Sequence, residues 1–237
     1  MTWSIVARDP GSGAFGICVA TKSFCVGSRV PHMESGVGAI ATQANTNAMY
    51  GTRGIRLLRE GVGAADAVRL LTAADDGRDH RQLHIQDARG GIAAHTGAKC
   101  VDWCGHLVRK TFSVAGNMLA GPQVIEETAR FYEANPQLSF PRRLIEALRA
   151  GEAVGGDKRG KQSAALKIVS TEDYPDFDWR VDDHVEPLDE LKRLEEVSRE
   201  RFAYSRFFSP RRDNPVGLLD FDEIARRVEE MKAADRQ

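Results

Sequence analysis

No stretch of this 237-residue chain stays apolar for anything near the length of a membrane helix, which takes about 20 residues, so no membrane partner is expected. Charge of either sign is not in excess either: 33 Lys and Arg face 34 Asp and Glu, a net charge of −1. Binding a phosphate backbone calls for a surplus of cations, which excludes nucleic acid as a partner. The first residues lack the basic segment and apolar run of a secretory signal. Cysteine is scarce, with four in the chain, and without a signal this points to reduced thiols and a cytoplasmic protein. The spacing Cys100-x3-Cys104-x-His106, with His95 nearby, lacks the second ligand pair of a structural zinc site. Those cysteines read as small buried apolar residues, and no metal or other cofactor is expected. Internal repeats and low-complexity tracts are also missing.

What is present begins at residue two. The chain opens Met1-Thr2-Trp3-Ser4-Ile5-Val6-Ala7-Arg8-Asp9, and an initiator methionine is commonly trimmed before a residue as small as threonine. Trimming would leave an amine and a hydroxyl on Thr2. A threonine whose own α-amine serves as base is one way of activating a weak hydroxyl nucleophile. The amine's reference pKa of about 7.7–8.0 leaves part of it neutral near pH 7. Thr2 as the mere start of a chain is the competing reading.

Residues 2–8 and 15–22 read as a hairpin about the turn signal Asp9-Pro10-Gly11-Ser12-Gly13. Centred on Ser12, the pairing places Trp3, Ile5, Ala7, Ile17, Val19 and Thr21 on one, core-facing side, and Thr2, Ser4, Val6, Gly16, Cys18 and Ala20 on a small-residue side. Thr2 then faces Lys22, whose cation would disfavour protonation of the amine. An ordinary strand-end lysine reaching solvent is the alternative. A slip of one residue would scramble both faces, which ties the register to the pattern.

Several long stretches give the chain a specific likeness: Thr2–Pro10; Ala20-Thr21-Lys22-Ser23-Phe24; Gly36–Ala44; Tyr50-Gly51-Thr52-Arg53-Gly54; Gly116–Pro122; Gly155–Ala165; and Arg180-Val181-Asp182-Asp183-His184. On these motifs it resembles a bacterial domain-of-unknown-function family, number 1028, within the N-terminal nucleophile (Ntn) hydrolase-like superfamily. The resemblance runs from Thr2 to about Leu194. It implies an α+β fold, a four-layer αββα sandwich, and, where members are active, hydrolysis of amide bonds. Fold alone does not fix function.

Element patterns agree with strands, helices, strands, helices, strands in that order. Strands are expected over Gly36–Ala44, Gln82–Ala88, Ile92–Thr96, Phe112–Ala115, Ser163–Ser170 and Trp179–Asp182. Helices are expected from Tyr50, over Ala64–Ala74 burying Ala67, Val68, Leu70 and Leu71, from Gly121-Pro122 to Ala134, and over Pro141–Ala150. A domain of residues 1–185 is followed by a helical extension, 186–237, with apolar residues at helical spacing and aromatics at Phe202, Tyr204, Phe207 and Phe208. Exposing that cluster would be costly, so it packs within the chain or across a homo-oligomer, here a dimer.

Candidate site residues follow from these placements. Asn117, between a strand and a helix start, is a candidate oxyanion donor, against a helix-capping role. The run Gly155–Ser163 nearly spells a phosphate loop, but Gln162 replaces the hydroxyl residue and the order is helix–loop–strand. It reads either as a solvated turn or as a cleft wall, with Asp157 holding the α-amine, Ser163 orienting it, and Arg159 gripping a substrate carboxylate. Gln43 and Asn45, at a sheet end, are candidate substrate contacts or loop residues. Asp182-Asp183-His184 reads as structural, at the start of the helix near Glu186. The function expected is a threonine amidohydrolase acting on a small, anionic amide. The alternative is a non-catalytic small-molecule binder on the same fold.

Overall fold

The computed structural model of the protein describes residues 2–235; Met1, whose removal the sequence reading calls for, lies outside them. The chain forms two compact units, Met1–Lys192 and Arg193–Gln237. The first is mixed α+β, built on antiparallel sheets that do not close into a barrel.

Its strands are β1 (Thr2–Arg8), β2 (Phe15–Thr21), β3 (Pro31–Glu34), β4 (Gly38–Ala44), β5 (Arg81–Asp87), β6 (Ile92–Thr96), β7 (Gly105–Val108), β8 (Phe112–Asn117), β9 (Ser163–Val169) and β10 (Phe177–Val181). One sheet has six strands in the order β10-β9-β2-β1-β8-β7, and the other has four, β3-β4-β5-β6. The helices are α1 (Ala48–Arg59), α2 (Ala64–Ala73), α3 (Gln123–Ala134), α4 (Phe140–Ala153) and α5 (Pro187–Ser198), the last running across the boundary into the second unit.

The first hairpin differs from the sequence expectation by one residue. Its pairs are Trp3 with Ala20, Ser4 with Val19 and Ile5 with Cys18, so partner numbers sum to 23 and the loop is the four residues Pro10–Gly13. Asp9 sets this length. Its N–H bonds the Ala14 carbonyl at 2.8 Å, its carboxylate accepts from the Ser12 N–H at 2.8 Å, and Gly13 takes the left-handed conformation at φ 74° that glycine tolerates. The side chains of β2 therefore swap faces relative to the expected arrangement. Trp3, Ile5, Ala7, Gly16, Cys18 and Ala20 share one face, and Thr2, Ser4, Val6, Ile17, Val19 and Thr21 the other.

Each face has a different neighbour. The Trp3 face lies under α4: a Cβ on Gly16 would stand 2.5 Å from Leu144 Cδ1, so only glycine lets the helix approach so closely. The Thr2 face turns to the other sheet, where Val6, Ile17 and Val19 pack with Ala39 and Ala41 of β4. Helices α1 and α2 cover the far side of the four-stranded sheet, with Tyr50, Ile55, Leu58, Ala67 and Leu71 against Ile40, Leu83 and Ile85. Leu70, expected in that core, is 41% exposed, because α2 presents Ala67 and Leu71 to the sheet and turns Leu70 aside.

The four-residue strands β3 and β7 have no counterpart among the expected elements, and both lie at a sheet edge. The second unit contains α6 (Phe202–Ser205) and α7 (Phe221–Ala234). Asp220 caps α7 by accepting from the N–H groups of Asp222 and Glu223 at 3.0 and 3.1 Å, and Tyr204 donates to Asp235 at 2.9 Å. No helix among the described residues is long and apolar enough to cross a membrane.

Candidate active site

Thr2 opens β1, an interior strand of the six-stranded sheet, and is 7% exposed. Its cross-strand neighbours are Thr21 on β2 and Asn117 on β8. The hydroxyl of Thr2 donates to Thr21 Oγ1 at 3.2 Å. Lys22 does not face Thr2: the shorter register puts Thr21 there, and the exposed Lys22 ammonium donates to the Lys161 carbonyl at 3.0 Å.

Asn117 is 1% exposed. Its amide nitrogen donates to the Thr2 carbonyl at 3.3 Å and to Gln82 Oε1 at 2.9 Å, which uses both hydrogens. The N–H groups of Met118 and Leu119 bond the carbonyls of Val101 and Trp103 at 2.8 and 2.9 Å, and α3 starts only at Gln123. The oxyanion role expected for Asn117 therefore gives way to a positioning role, because its donors are spent on protein acceptors and no helix start stands beside it.

Gln43 is fully buried. Its Oε1 accepts from Ser4 Oγ at 2.8 Å, and its Nε2 donates to Gln82 Oε1 at 2.8 Å and the Ala115 carbonyl at 3.1 Å, with the Thr2 carbonyl further off at 3.4 Å. Gln43 thereby ties the two sheets together. Asn45 is exposed in the following loop, where its N–H bonds the His80 carbonyl at 3.1 Å and its carbonyl accepts from Arg81 at 2.5 Å.

Asp157 is 6% exposed and sits beside the ends of β2 and β8. Its Oδ2 accepts from the Lys22 N–H at 2.8 Å and its Oδ1 from the Arg159 N–H at 2.9 Å, while Leu119 pairs with it as an isolated bridge. Residues just beyond β2 and β8, the two neighbours of β1, are thus tied to one residue, Lys22 through the Asp157 side chain and Leu119 through its backbone. Arg159 is exposed, and its guanidinium rests on Asp157 at 3.3 Å. Ser163, buried at the start of β9, donates to the Ser23 carbonyl and accepts from the Val26 N–H at 3.1 Å, fastening the 23–26 loop. His184 accepts from the Glu186 N–H at 3.0 Å, at the entry to α5.

A cavity of about 110 Å³ opens beside this cluster, lined by Trp3, Ala20, Thr21, Glu152, Asp157 and Lys161, among others. Its walls include Trp3 and Ala20, on the face of the sheet opposite the Thr2 side chain. Burial holds the Glu152 carboxyl above the usual range, an effect that Lys161 Nζ at 3.0 Å partly offsets. Cys100 is buried, Cys104 and His95 are half-buried, and His106 Nδ1 lies 2.8 Å from Thr96 Oγ1. Among the described residues no group of three His, Cys, Asp or Glu is placed to hold a metal ion.

Behind Thr2, polar side chains fill the space between the sheets, a feature that reading the sequence missed. Gln82 is its hub: fully buried, it accepts from both Gln43 and Asn117 through Oε1, and its Nε2 donates to the Gly116 carbonyl at 2.8 Å and to Thr96 Oγ1 at 2.9 Å. His84 bridges Ser4 Oγ and Ser113 Oγ, each at 2.8 Å. The Ser4 hydrogen is committed to Gln43, so Ser4 accepts from His84 Nε2–H. In the neutral ring, Nδ1 then accepts from Ser113. Burial pushes the His84 pKa down to about 3, which keeps the ring neutral at pH 7. The only signal for this seam is the alternation Gln82-Leu83-His84-Ile85-Gln86, which shows that the faces differ without saying which one meets water.

Thr2 thus heads a buried central strand of a mixed α+β protein, its hydroxyl bonded to Thr21 on one flanking strand and its carbonyl to Asn117 on the other and to Gln43 of the opposing sheet. The chain belongs to the family described as a family of unknown function, DUF1028, whose model matches residues 2–191. The crystal structure of protein SPO2555 from Silicibacter pomeroyi, of the same family, is 32% identical with a TM-score of 0.86, over 92% of this chain and 96% of that one. Anbu, an ancestral beta-subunit from Yersinia bercovieri, aligns at 12% identity over 85% of this chain and 96% of its own, with a TM-score of 0.37. A search among curated proteins finds no match.

Proposed function

We propose that the protein is an N-terminal-threonine amidohydrolase on an Ntn-like αββα sandwich, acting on a small anionic amide. The observation that carries this reading is the setting of Thr2: first residue of a central strand, 7% exposed, with its hydroxyl hydrogen-bonded at 3.2 Å and its carbonyl tied to Asn117. Two facing sheets with helices on their outer sides support the four-layer description. Once Met1 is removed, the α-amine takes the Thr2 hydroxyl proton as Oγ1 bonds to the amide carbon. The resulting ammonium gives that proton to the leaving nitrogen as the C–N bond breaks, and water then hydrolyses the ester. Val216, Leu219 and Phe221, exposed at 62%, 72% and 77%, favour a homo-oligomer joined through the C-terminal extension.

A second reading, a binder without turnover, is favoured by one observation: the donors of Asn117, Met118 and Leu119 are all engaged. Intact mass of the untagged protein, followed by hydrolysis of a panel of small amides, separates the two. The amidohydrolase loses one methionine in mass, and Thr2→Ala drops its turnover at least about 10³-fold while Thr2→Ser keeps part. A retained Met1, or an active Thr2→Ala protein, refutes it.

A further inference from the structure

Far from Thr2 in the sequence, the outer surface of α1 and α2 carries a cavity of about 510 Å³, within the range of small-molecule sites. Its floor is Leu57 and Leu71, with Tyr50 at one end. Met49 and Leu70 rise beside it, 51% and 41% exposed. Apolar side chains left open beside a concavity are what an apolar ligand covers.

The polar residues of the cavity divide into two sets. At the Tyr50 end, Asp75 is satisfied within the protein: Tyr50 Oη donates to it at 2.7 Å, Asn47 Nδ2 at 3.1 Å, the Gly77 N–H at 2.8 Å and Arg81 Nε at 3.1 Å. These bonds leave a rigid wall whose charge Arg81 neutralises. Arg53 and Arg56 form the other set. Both line the cavity and are exposed, and among the described residues neither is ion-paired. Arg59, one turn further on the same helix, is already paired with Glu34. Three residues apart on α1, Arg53 and Arg56 are neighbours on one helix face, and two planar guanidinium groups suit one carboxylate. Glu60, which also lines the cavity, lies beyond Arg56 and disfavours a second anionic group at that end.

We infer that this groove is a binding site for an amphipathic monocarboxylate, whose head lies between Arg53 and Arg56 and whose apolar body covers Leu57, Leu70 and Leu71. From Met49 to Glu60 the groove runs about 16 Å along α1, which suits a medium-length aliphatic chain or an aromatic ring system. The inference is independent of the chemistry at Thr2.

Isothermal titration of the full chain with sodium octanoate, octan-1-ol and octylammonium tests it. The expected result is saturable 1:1 binding of octanoate, at least tenfold weaker binding of octan-1-ol, and none of octylammonium. Arg53→Gln with Arg56→Gln should weaken octanoate at least tenfold and leave octan-1-ol unchanged. Leu70→Glu should abolish octanoate binding with thermal unfolding unchanged. Equal binding of acid and alcohol, undiminished binding by the double variant, or no saturable octanoate binding would overturn the assignment. So would a dimer that Leu70→Glu dissociates, since the groove would then be a contact between copies.

Discussion

Acid should unfold this protein through His84, and the size of the effect follows from its setting. The ring is wholly enclosed between the sheets, and burial lowers its pKa to about 3; in the unfolded chain a histidine titrates near 6.5. Between those values the unfolded state binds a proton that the folded state refuses, so stability is complete above pH 6.5 and falls as the pH drops through the window. At about 1.4 kcal/mol per pH unit, going from pH 7 to pH 5 removes about 2 kcal/mol, a large share of the roughly 5–15 kcal/mol that holds a domain folded. His32 and His106 are also lowered by burial, so the wild-type profile sums several groups. The difference from His84→Gln, which keeps a donor for Ser4, isolates the one ring. Urea unfolding of both proteins at pH 7, 6 and 5 gives the two profiles. The wild type should lose about 2 kcal/mol more than the variant by pH 5. Parallel profiles would mean that His84 reaches solvent or takes up a proton in the folded state, and the account of a closed seam would be wrong.

Two further outcomes are expected from the packing. Gln82→Leu leaves Asn117 and Gln43 with unmet buried donors and should cost about 2–4 kcal/mol; in amide hydrogen exchange the loss should appear first at the β1–β8 pairing, and protection equal to wild type there would count against the hub. Gly16→Val places a side chain where Leu144 already stands, 2.5 Å from the first added atom, and should lower stability by about 1–3 kcal/mol, read as a lower urea midpoint. An unchanged midpoint would mean that α4 is free to move off β2.

Much of this architecture is legible in the sequence, because helices such as 48–59 bury residues at helical spacing and the apolar run of 163–169 forms a strand covered on both faces. The placement of Thr2 at the head of β1 is equally legible. Its partner is not, since turn residues announce a reversal without counting its length, and the carboxylate of Asp9 on Ser12 decides between Lys22 and Thr21 opposite Thr2. The interior polar seam is hidden for another reason. Gln82, His84 and Gln86 alternate with Leu83 and Ile85 as they would on a strand with one wet face, yet both faces are covered. Asp157 and Ser163 each bond backbone N–H groups, of Lys22 and Val26, partners that a run of polar residues does not name.

The sheet order has a consequence for the timing of synthesis. β1 is the first element made, yet its inner partner β8 ends at Asn117, directly opposite Thr2. At about 5–20 residues per second, the ribosome takes roughly 6–23 s to supply that partner. During that interval both edges of the first hairpin are open, since β9, the outer partner of β2, is made later still, and the β1 edge that pairs with Asn117 stays uncovered.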